Sequence, residues 1–408
     1  MQKQKKIKIA VVTGTFPSVS ETFVINHVKG LLKAGIHVDF YCLHKDTKAL
    51  NHTGLDPKVL TVKGLQPKTF VQRLKCIFKT LQQSKYRFLW QTIKTFNIFK
   101  YGKEALIAKQ FFKAYYLHYF QINSYDVVHI HFATNAVKLL PLLKNFKNKI
   151  VVTFHGYDAH KYQSSYYKAL QTLPNIHYTV NTNYTLKKVL GLGFQRNTIT
   201  ILPVAVDTEL FAPKEKQKPN ALFSILFVGR LVPFKAPLRA IKIVEKLIET
   251  HKDVKLTIIG GGELYDTCSN YIEQNGLSEH VRLLGALSQQ KIKLQMELAD
   301  VFLYPGIVDD NGRCENQGLV VQEAQAMGLP VVVSNVGGLA EGVIDGETGF
   351  VVEENLLDVF VEKLIHLKSS SSECHKLASN AIKFIDKHYT TAQHVQRLIL
   401  IYKDHCDG

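Results

Sequence analysis

The chain has 408 residues, 46% of them hydrophobic and 21% charged. That composition belongs to ordinary folded proteins and excludes wholesale disorder, a collagen-like repeat and a polytopic membrane protein, while the length predicts two packed domains. The formal net charge of +17 is uneven: residues 1–213 carry 30 Lys and Arg against 9 Asp and Glu, whereas residues 214–408 carry 21 against 25.

At the amino terminus the apolar run Ile9 to Val12 stops at Thr13 and Gly14, too short for a signal-peptide core. No later stretch offers about 18 uninterrupted apolar residues for a membrane span. Six cysteines without a C-x-x-C pair suggest neither a zinc site nor a disulfide framework and fit a reducing cytosol. A cytoplasmic location is the expectation. Residues Ile7–Thr13 read as a first strand, with Gly14 at its end as a candidate ligand contact. Ser18-x-x-Glu21 is a capping box, so a helix is expected to begin near Val19 and to continue through Ile25, Val28 and Leu31. G-x-G-x-x-G is absent from this strand–glycine–helix order, which argues against a nicotinamide enzyme. A second strand is predicted at His37–Leu43.

Between Lys68 and Phe120, eleven basic residues meet one acid, Glu104, with aromatic side chains such as Phe78, Trp90 and Phe99 interleaved. Such a segment suits the anionic surface of a membrane, since each Lys or Arg near acidic lipid contributes about 1 kcal/mol and the rings settle among headgroups. It equally suits a pair of amphipathic helices with solvated lysines. Nucleic acid would attract the charge too, but no nucleic-acid motif accompanies it and none is expected as a partner.

Four more β-branched runs, Val127–His131, Ile150–Phe154, Tyr178–Asn181 and Ile199–Leu202, complete the first half as strands alternating with helical patterns. His129 and His131 share one strand face. With no Cys or carboxylate at ligand spacing, they read as structural or as a wall of a site, not as metal ligands. His155, in the turn from His155 to Asp158 after the next strand, is a candidate site residue, the alternative being a structural histidine.

Two prolines and a mixed charge run between Val204 and Asn220 read as a linker. The cycle then restarts with strands at Ser224–Val228, Lys255–Ile259, Val281–Leu284, Val301–Tyr304, Val331–Ser334 and Gly349–Val352. The architecture expected is α/β, with two Rossmann-like doubly wound domains facing a cleft, an N-terminal one over residues 1–205 and a second over 220–375, followed by terminal helices over 376–408. Ligands are expected in the cleft, at the carboxyl ends of the strands.

In the second domain Gly229, Arg230 and Lys235 follow the first strand, placing two cations at a βα turn. Fixed cations there stabilise the negative charge of a leaving pyrophosphate; capping the turn is the plainer alternative. Gly260 to Leu264 follows the next strand and permits close backbone approach, to a ligand or within a tight turn. Asp309 and Asp310 lie in a Gly/Asn-rich loop and read as solvated. The strongest local signal is Glu315, Gly318 and Glu323 ahead of Gly328 and Pro330. A helix opened at Gly318 puts Glu323 in its second turn, leaves Glu315 in the preceding loop and presents the free amides of Gly318, Leu319 and Val320 to a phosphate. This describes a site for a sugar carried on a nucleoside diphosphate, with one carboxylate toward the sugar and the other toward the ribose. Two unrelated glutamates around a solvated helix are the alternative.

Together these residues resemble the retaining sugar-nucleotide glycosyltransferases of glycosyltransferase family 4, which have the two-domain GT-B fold. The likeness extends over nearly the whole chain. It is most specific in Val228 to Arg230 with Lys235, in Gly260 to Leu264, in Glu315 and Glu323 followed by Ala324 to Pro330, and in Gly337 and Gly338 with Glu341. The stretches Phe16 to Val24 and His155 to Asp158 are similar to the exopolysaccharide branch, of the colanic-acid type.

The resemblance implies that Arg230 and Lys235 hold the donor diphosphate, Glu323 the ribose, Glu315 the transferred sugar, and His155 its hydroxyl side near the anomeric centre. It implies no bound metal, no cofactor beyond the nucleotide-sugar co-substrate, and terminal helices that cross back to the first domain. Two departures stand out: Asn316 and Gln317 replace the glycine and small residue usual after the first glutamate, and Ala236 stands where glycine commonly follows the lysine. The expected function is transfer of a sugar to a growing polysaccharide or lipid-linked oligosaccharide, by a peripheral protein on the inner face of the plasma membrane. A sugar-nucleotide epimerase of the same fold and a nonenzymatic binder of anionic polymer are the alternatives. The paired cations and carboxylates favour the enzyme, because a scaffold has no need of them.

Overall fold

The computed structural model describes residues 7–16, 22–45, 62–64, 125–144, 146–213 and 222–404, with isolated positions at 71, 75, 78 and 99. The Ser18–Glu21 capping box, nearly all of the basic aromatic segment 68–120 and the linker residues 214–220 lie outside the described residues. The chain divides into two compact units: Met1–Val180 with Leu186–Leu202 and Val395–Gly408, and Asn181–Thr185 with Pro203–His394.

The first unit contains the strands β1 (Lys8–Phe16), β2 (His37–Lys45), β3 (Val62–Gly64), β4 (Val127–His131), β5 (Lys149–Phe154), β6 (Ile176–Val180) and β7 (Ile199–Ile201). They form one parallel sheet in the order β3-β2-β1-β4-β5-β6-β7. β4 and β5 are buried along their whole length, His129, His131, Lys149 and Thr153 included, as befits strands of a parallel sheet covered on both faces. Successive side chains of a strand point to opposite faces, and β1 divides accordingly. Ile9 and Val11 enter a core with Val24, Val28 and Leu31 of the helix Thr22–Lys33 and with Val395, Leu398 and Tyr402 of the helix Thr391–Lys403. Ala10 and Val12 enter the other core, with Ile130, Val152, Tyr167 and Leu170. Gly14 falls inside β1 and not at its end, because pairing with β2 continues through Thr15 and Phe16.

The second unit contains β8 (Phe223–Val228), β9 (Val254–Ile259), β10 (Val281–Leu283), β11 (Val301–Tyr304), β12 (Val331–Ser334) and β13 (Phe350–Val352), all parallel, in the order β10-β9-β8-β11-β12-β13. Counted from β8, this is the 3-2-1-4-5-6 order of a doubly wound nucleotide-binding sheet. Both sheets therefore reverse direction of growth beside their first strand, between β1 and β4 and between β8 and β11. Such switch points open a crevice at the carboxyl ends of the strands. The helix Pro237–Ile248 starts with proline at a position that needs no N–H, and buries Ala240, Ile241, Val244, Leu247 and Ile248 at helical spacing. No helix among the described residues is long and apolar enough to cross a membrane.

Candidate active site

In the second unit the switch point gathers charged residues far apart in sequence. Gly229 and Arg230 leave β8, Tyr304 ends β11, and Lys235 and Glu315 approach from the flanking loops. Lys235 Nζ lies 2.5 Å from Glu315 Oε2 and donates to the Tyr304 hydroxyl at 2.6 Å; that hydroxyl donates to the same Glu315 oxygen at 2.9 Å. Burial alone would raise the Glu315 carboxyl, but the Lys235 charge and the hydrogen bonds from Lys235 and Tyr304 hold it below its ordinary value. Burial, followed by the charge of Glu315, raises the Tyr304 hydroxyl well above 10, so it stays a donor. Arg230 is exposed, and its charge reaches Tyr304.

Glycines build this arrangement by letting loops touch. A Cβ on Gly260 would stand 1.8 Å from the Gly229 carbonyl oxygen, and one on Gly262 2.5 Å from that of Leu231. The loop after β9 therefore clamps the turn carrying Arg230, and amides of Gly229, Leu231 and Leu264 bond across it. Likewise a Cβ on Gly337 or Gly338 would meet the carbonyl oxygens of Glu315 or Asn316 at 2.1 and 2.0 Å, and the Gly338 amide donates to Glu315 O at 2.9 Å. Both glycine runs meet backbone.

Gly318 takes the left-handed conformation, φ 72°, ahead of the helix Leu319–Ala326. Among the described residues the amides of Gly318, Leu319 and Val320 have no acceptor, as expected of a helix start. Glu323 lies in the second turn, half-buried. Burial, then the charge of Asp207, push its carboxyl up to about 8. Gln317 exchanges two hydrogen bonds with the backbone of Val204, at 2.8 and 2.9 Å, which ties the segment bearing Asp207 to the loop bearing Glu315. The departure at Gln317 thus has a structural use. Ala236 has φ 52°, which explains why glycine suits that position. Glu341 accepts from the amides of Asn183 and Tyr184, both at 2.7 Å.

One reading from sequence is corrected. Asp309 is buried, not solvated: it accepts from the amides of Asn311 and Arg313 and pairs with the Arg313 side chain at 2.7 Å, while Asp310 is exposed.

In the first unit the switch point carries imidazoles. His155 Nε2 is hydrogen-bonded to His131 Nδ1 at 3.0 Å, and its ring packs on Phe23 and Phe132. His129 bonds the Tyr402 hydroxyl at 2.6 Å and Thr153 Oγ1 at 2.7 Å. His27, His129 and His131, all buried, bring ring nitrogens within 4.8 Å of one another. Asp158 is fully buried and accepts from the amides of His155 and Ala133, so its work is to fix the turn; burial raises its carboxyl to about 6. Gly14 faces the Asn135 side chain, which a Cβ would approach to 3.3 Å.

Sequence reasoning missed Tyr304, Asp207 and His27. Tyr304 left a readable trace, a hydroxyl closing an otherwise apolar strand ahead of Pro305 and Gly306. Asp207 and His27 left none, because their partners lie in distant segments.

Residues 20–210 match the family described as Glycosyltransferase Family 4, and residues 208–384 match glycosyl transferases group 1. The amylovoran biosynthesis glycosyltransferase AmsK of Erwinia amylovora is 26% identical over 90% of this chain and 92% of its own. The putative colanic acid biosynthesis glycosyltransferase WcaL of Escherichia coli K12 is 26% identical over 86% and 87%. An uncharacterized glycosyltransferase of Methanocaldococcus jannaschii is 30% identical over 64% and 71%. Among solved structures, the Anabaena protein HepE in complex with UDP superimposes with a TM-score of 0.74 at 15% identity, covering 98% of this chain and all of that one. A glycosyltransferase from Rickettsia africae gives 0.73 at 18%, over 98% and 99%. Two Rossmann-like units of this topology define the GT-B fold, and the two family matches make the chain a glycosyltransferase. The chain belongs to glycosyltransferase family 4.

Proposed function

We propose that this enzyme transfers a sugar from a nucleoside-diphosphate sugar, with retention, to a growing polysaccharide or lipid-linked oligosaccharide. The observation that carries the reading is the convergence of Arg230, Lys235, Tyr304 and Glu315 at the β8–β11 switch point, beside a helix start with open amides. HepE, of the same fold, holds UDP, and AmsK and WcaL are named for exopolysaccharide synthesis.

Arg230 and Lys235 hold the diphosphate with the amides of Gly318, Leu319 and Val320; Glu315 takes a sugar hydroxyl and Glu323 the ribose. Gly14 and His155, in the first unit, keep the roles read from sequence. The bond from C1 to the phosphate oxygen breaks and C1 joins the acceptor oxygen on the same face, while the acceptor proton passes to the leaving phosphate. Fixed cations favour this step because phosphate charge is greatest as the bond lengthens. No metal is assigned a part.

Calorimetry with UDP-, GDP- and ADP-sugars tests the reading. Binding of one of them, weakened in Glu323→Ala, is the expected result, and binding of none removes the donor assignment. Residues 68–120, with eleven cations against one acid, are assigned to the anionic inner face of the membrane. Salt-sensitive flotation with anionic liposomes is expected, and its absence leaves solvated helices as the reading.

A further inference from the structure

The hydroxyl of Tyr304 is unexplained by packing. The ring closes β11, is fully buried and stacks on Phe227 at 5.4 Å and on Phe302 at 6.1 Å, contacts that a phenylalanine would keep. A buried hydroxyl is costly to desolvate unless it is bonded, and this one is bonded twice, to the two groups of opposite charge at the site. The groups of either charge facing it are Lys235 and Arg230 from the turn after β8 and Glu315 from the loop before the helix Leu319–Ala326.

Lysine has three N–H donors. Two are engaged, by Tyr304 and Glu315, and one is left for a phosphate oxygen. When a diphosphate draws Lys235 toward itself, Glu315 becomes a buried carboxylate facing an anion. The hydroxyl supplies the donor that stays behind. We propose that Tyr304 is a positioning residue of the donor site, which fixes the direction of the Glu315 carboxylate and shares it with Lys235. The proposal rests on the reading of Lys235 and Glu315 as donor-binding groups and extends it to a residue with no direct contact to substrate.

Tyr304→Phe in the full chain tests it, since the ring stack is kept. In protein carrying 13C-labelled glutamate carboxyls, the Glu315 resonance, identified by its loss in Glu315→Gln, should titrate at higher pH in Y304F than in the native chain, because a hydrogen bond to the charged form is gone. Turnover of whichever UDP-, GDP- or ADP-sugar binds best should fall about tenfold, with a smaller change in KM and its acid limb displaced to higher pH. In the E315Q background, Y304F should cost much less. An unchanged Glu315 titration in Y304F overturns the proposal. Should Y304F not fold, the 13Cζ resonance of Tyr304 in E315Q decides, since it must move when the acceptor changes and an unmoved signal overturns the proposal. If the native chain binds no nucleotide sugar, the donor reading fails, while the two resonances still decide whether the hydroxyl governs the carboxylate.

Discussion

The two units share the 3-2-1-4-5-6 strand order, the first with a seventh strand added, but their switch points carry different chemistry. Between β8 and β11 stand Arg230, Lys235, Tyr304 and Glu315, with Lys235 and Glu315 paired directly and both bonded to the Tyr304 hydroxyl. Between β1 and β4, with β5 alongside, stand His27, His129, His131 and His155, rings that stack and hydrogen-bond with one another and with hydroxyls. A parallel sheet places a crevice in both units; the residues at the strand ends decide what it can hold. Paired charges suit a leaving diphosphate, whereas rings and hydroxyls suit recognition by shape and hydrogen bonding.

The difference can be broken from either side. The largest effect is expected from Gly260→Ala, whose added carbon would stand 1.8 Å from the Gly229 carbonyl oxygen at φ 151°. It should cost about 3 kcal/mol or more in chemical denaturation, and a loss under 1 kcal/mol would show that the Arg230 turn is not clamped there. Arg230→Ala comes next. Turnover should fall roughly a hundredfold if the guanidinium stabilises leaving-group charge, and unchanged turnover would contradict that role. His155→Ala should lower turnover about tenfold and weaken donor affinity by calorimetry less than Arg230→Ala does, which separates the two switch points; an equal loss of donor affinity would erase the distinction.

Glu323 sharpens the comparison through pH. Its carboxyl, at about 8 against an ordinary 4.5, binds more protons folded than unfolded. It therefore favours the folded state at low pH, and that contribution is lost as pH rises from 4.5 through about 8. In Glu323→Gln the fall of melting temperature over this window should be shallower, and an unchanged slope would remove the assignment. The smallest effect is expected at Ala236, φ 52°. Ala236→Gly should raise stability by up to about 1 kcal/mol through release of left-handed strain, and a decrease would mean that unfolded-state entropy outweighs it.

Much of the fold was legible. Val127–His131, Val301–Tyr304 and Val331–Ser334 were bounded correctly, because each is a short run rich in β-branched and aromatic residues, which favour strands. β3, Val62–Gly64, was missed because one valine followed by lysine and glycine gives no β-branched run to read. The helix after Gly318, with Glu323 in its second turn and Glu315 outside it, followed from one glycine and the apolar spacing. Asp309 was misread because a buried aspartate satisfied by local amides and Arg313 looks, as a string, like any loop acid. The glycine run at 260–262 signalled close approach but not toward what; only folding brings the Gly229 carbonyl against it.

By itself, then, the sequence determined the strand and helix alternation, the two nucleotide-type sheets and the identity of the charged residues at their ends, because these depend on neighbours a few positions away. Only the tertiary structure decided that Lys235 meets Glu315 across 80 positions with Tyr304 bonded to both, that Asp207 burdens Glu323, and that four histidines gather at β4. Pairings of that kind come from sheet order and loop closure, which bring together side chains that have no regular spacing along the chain.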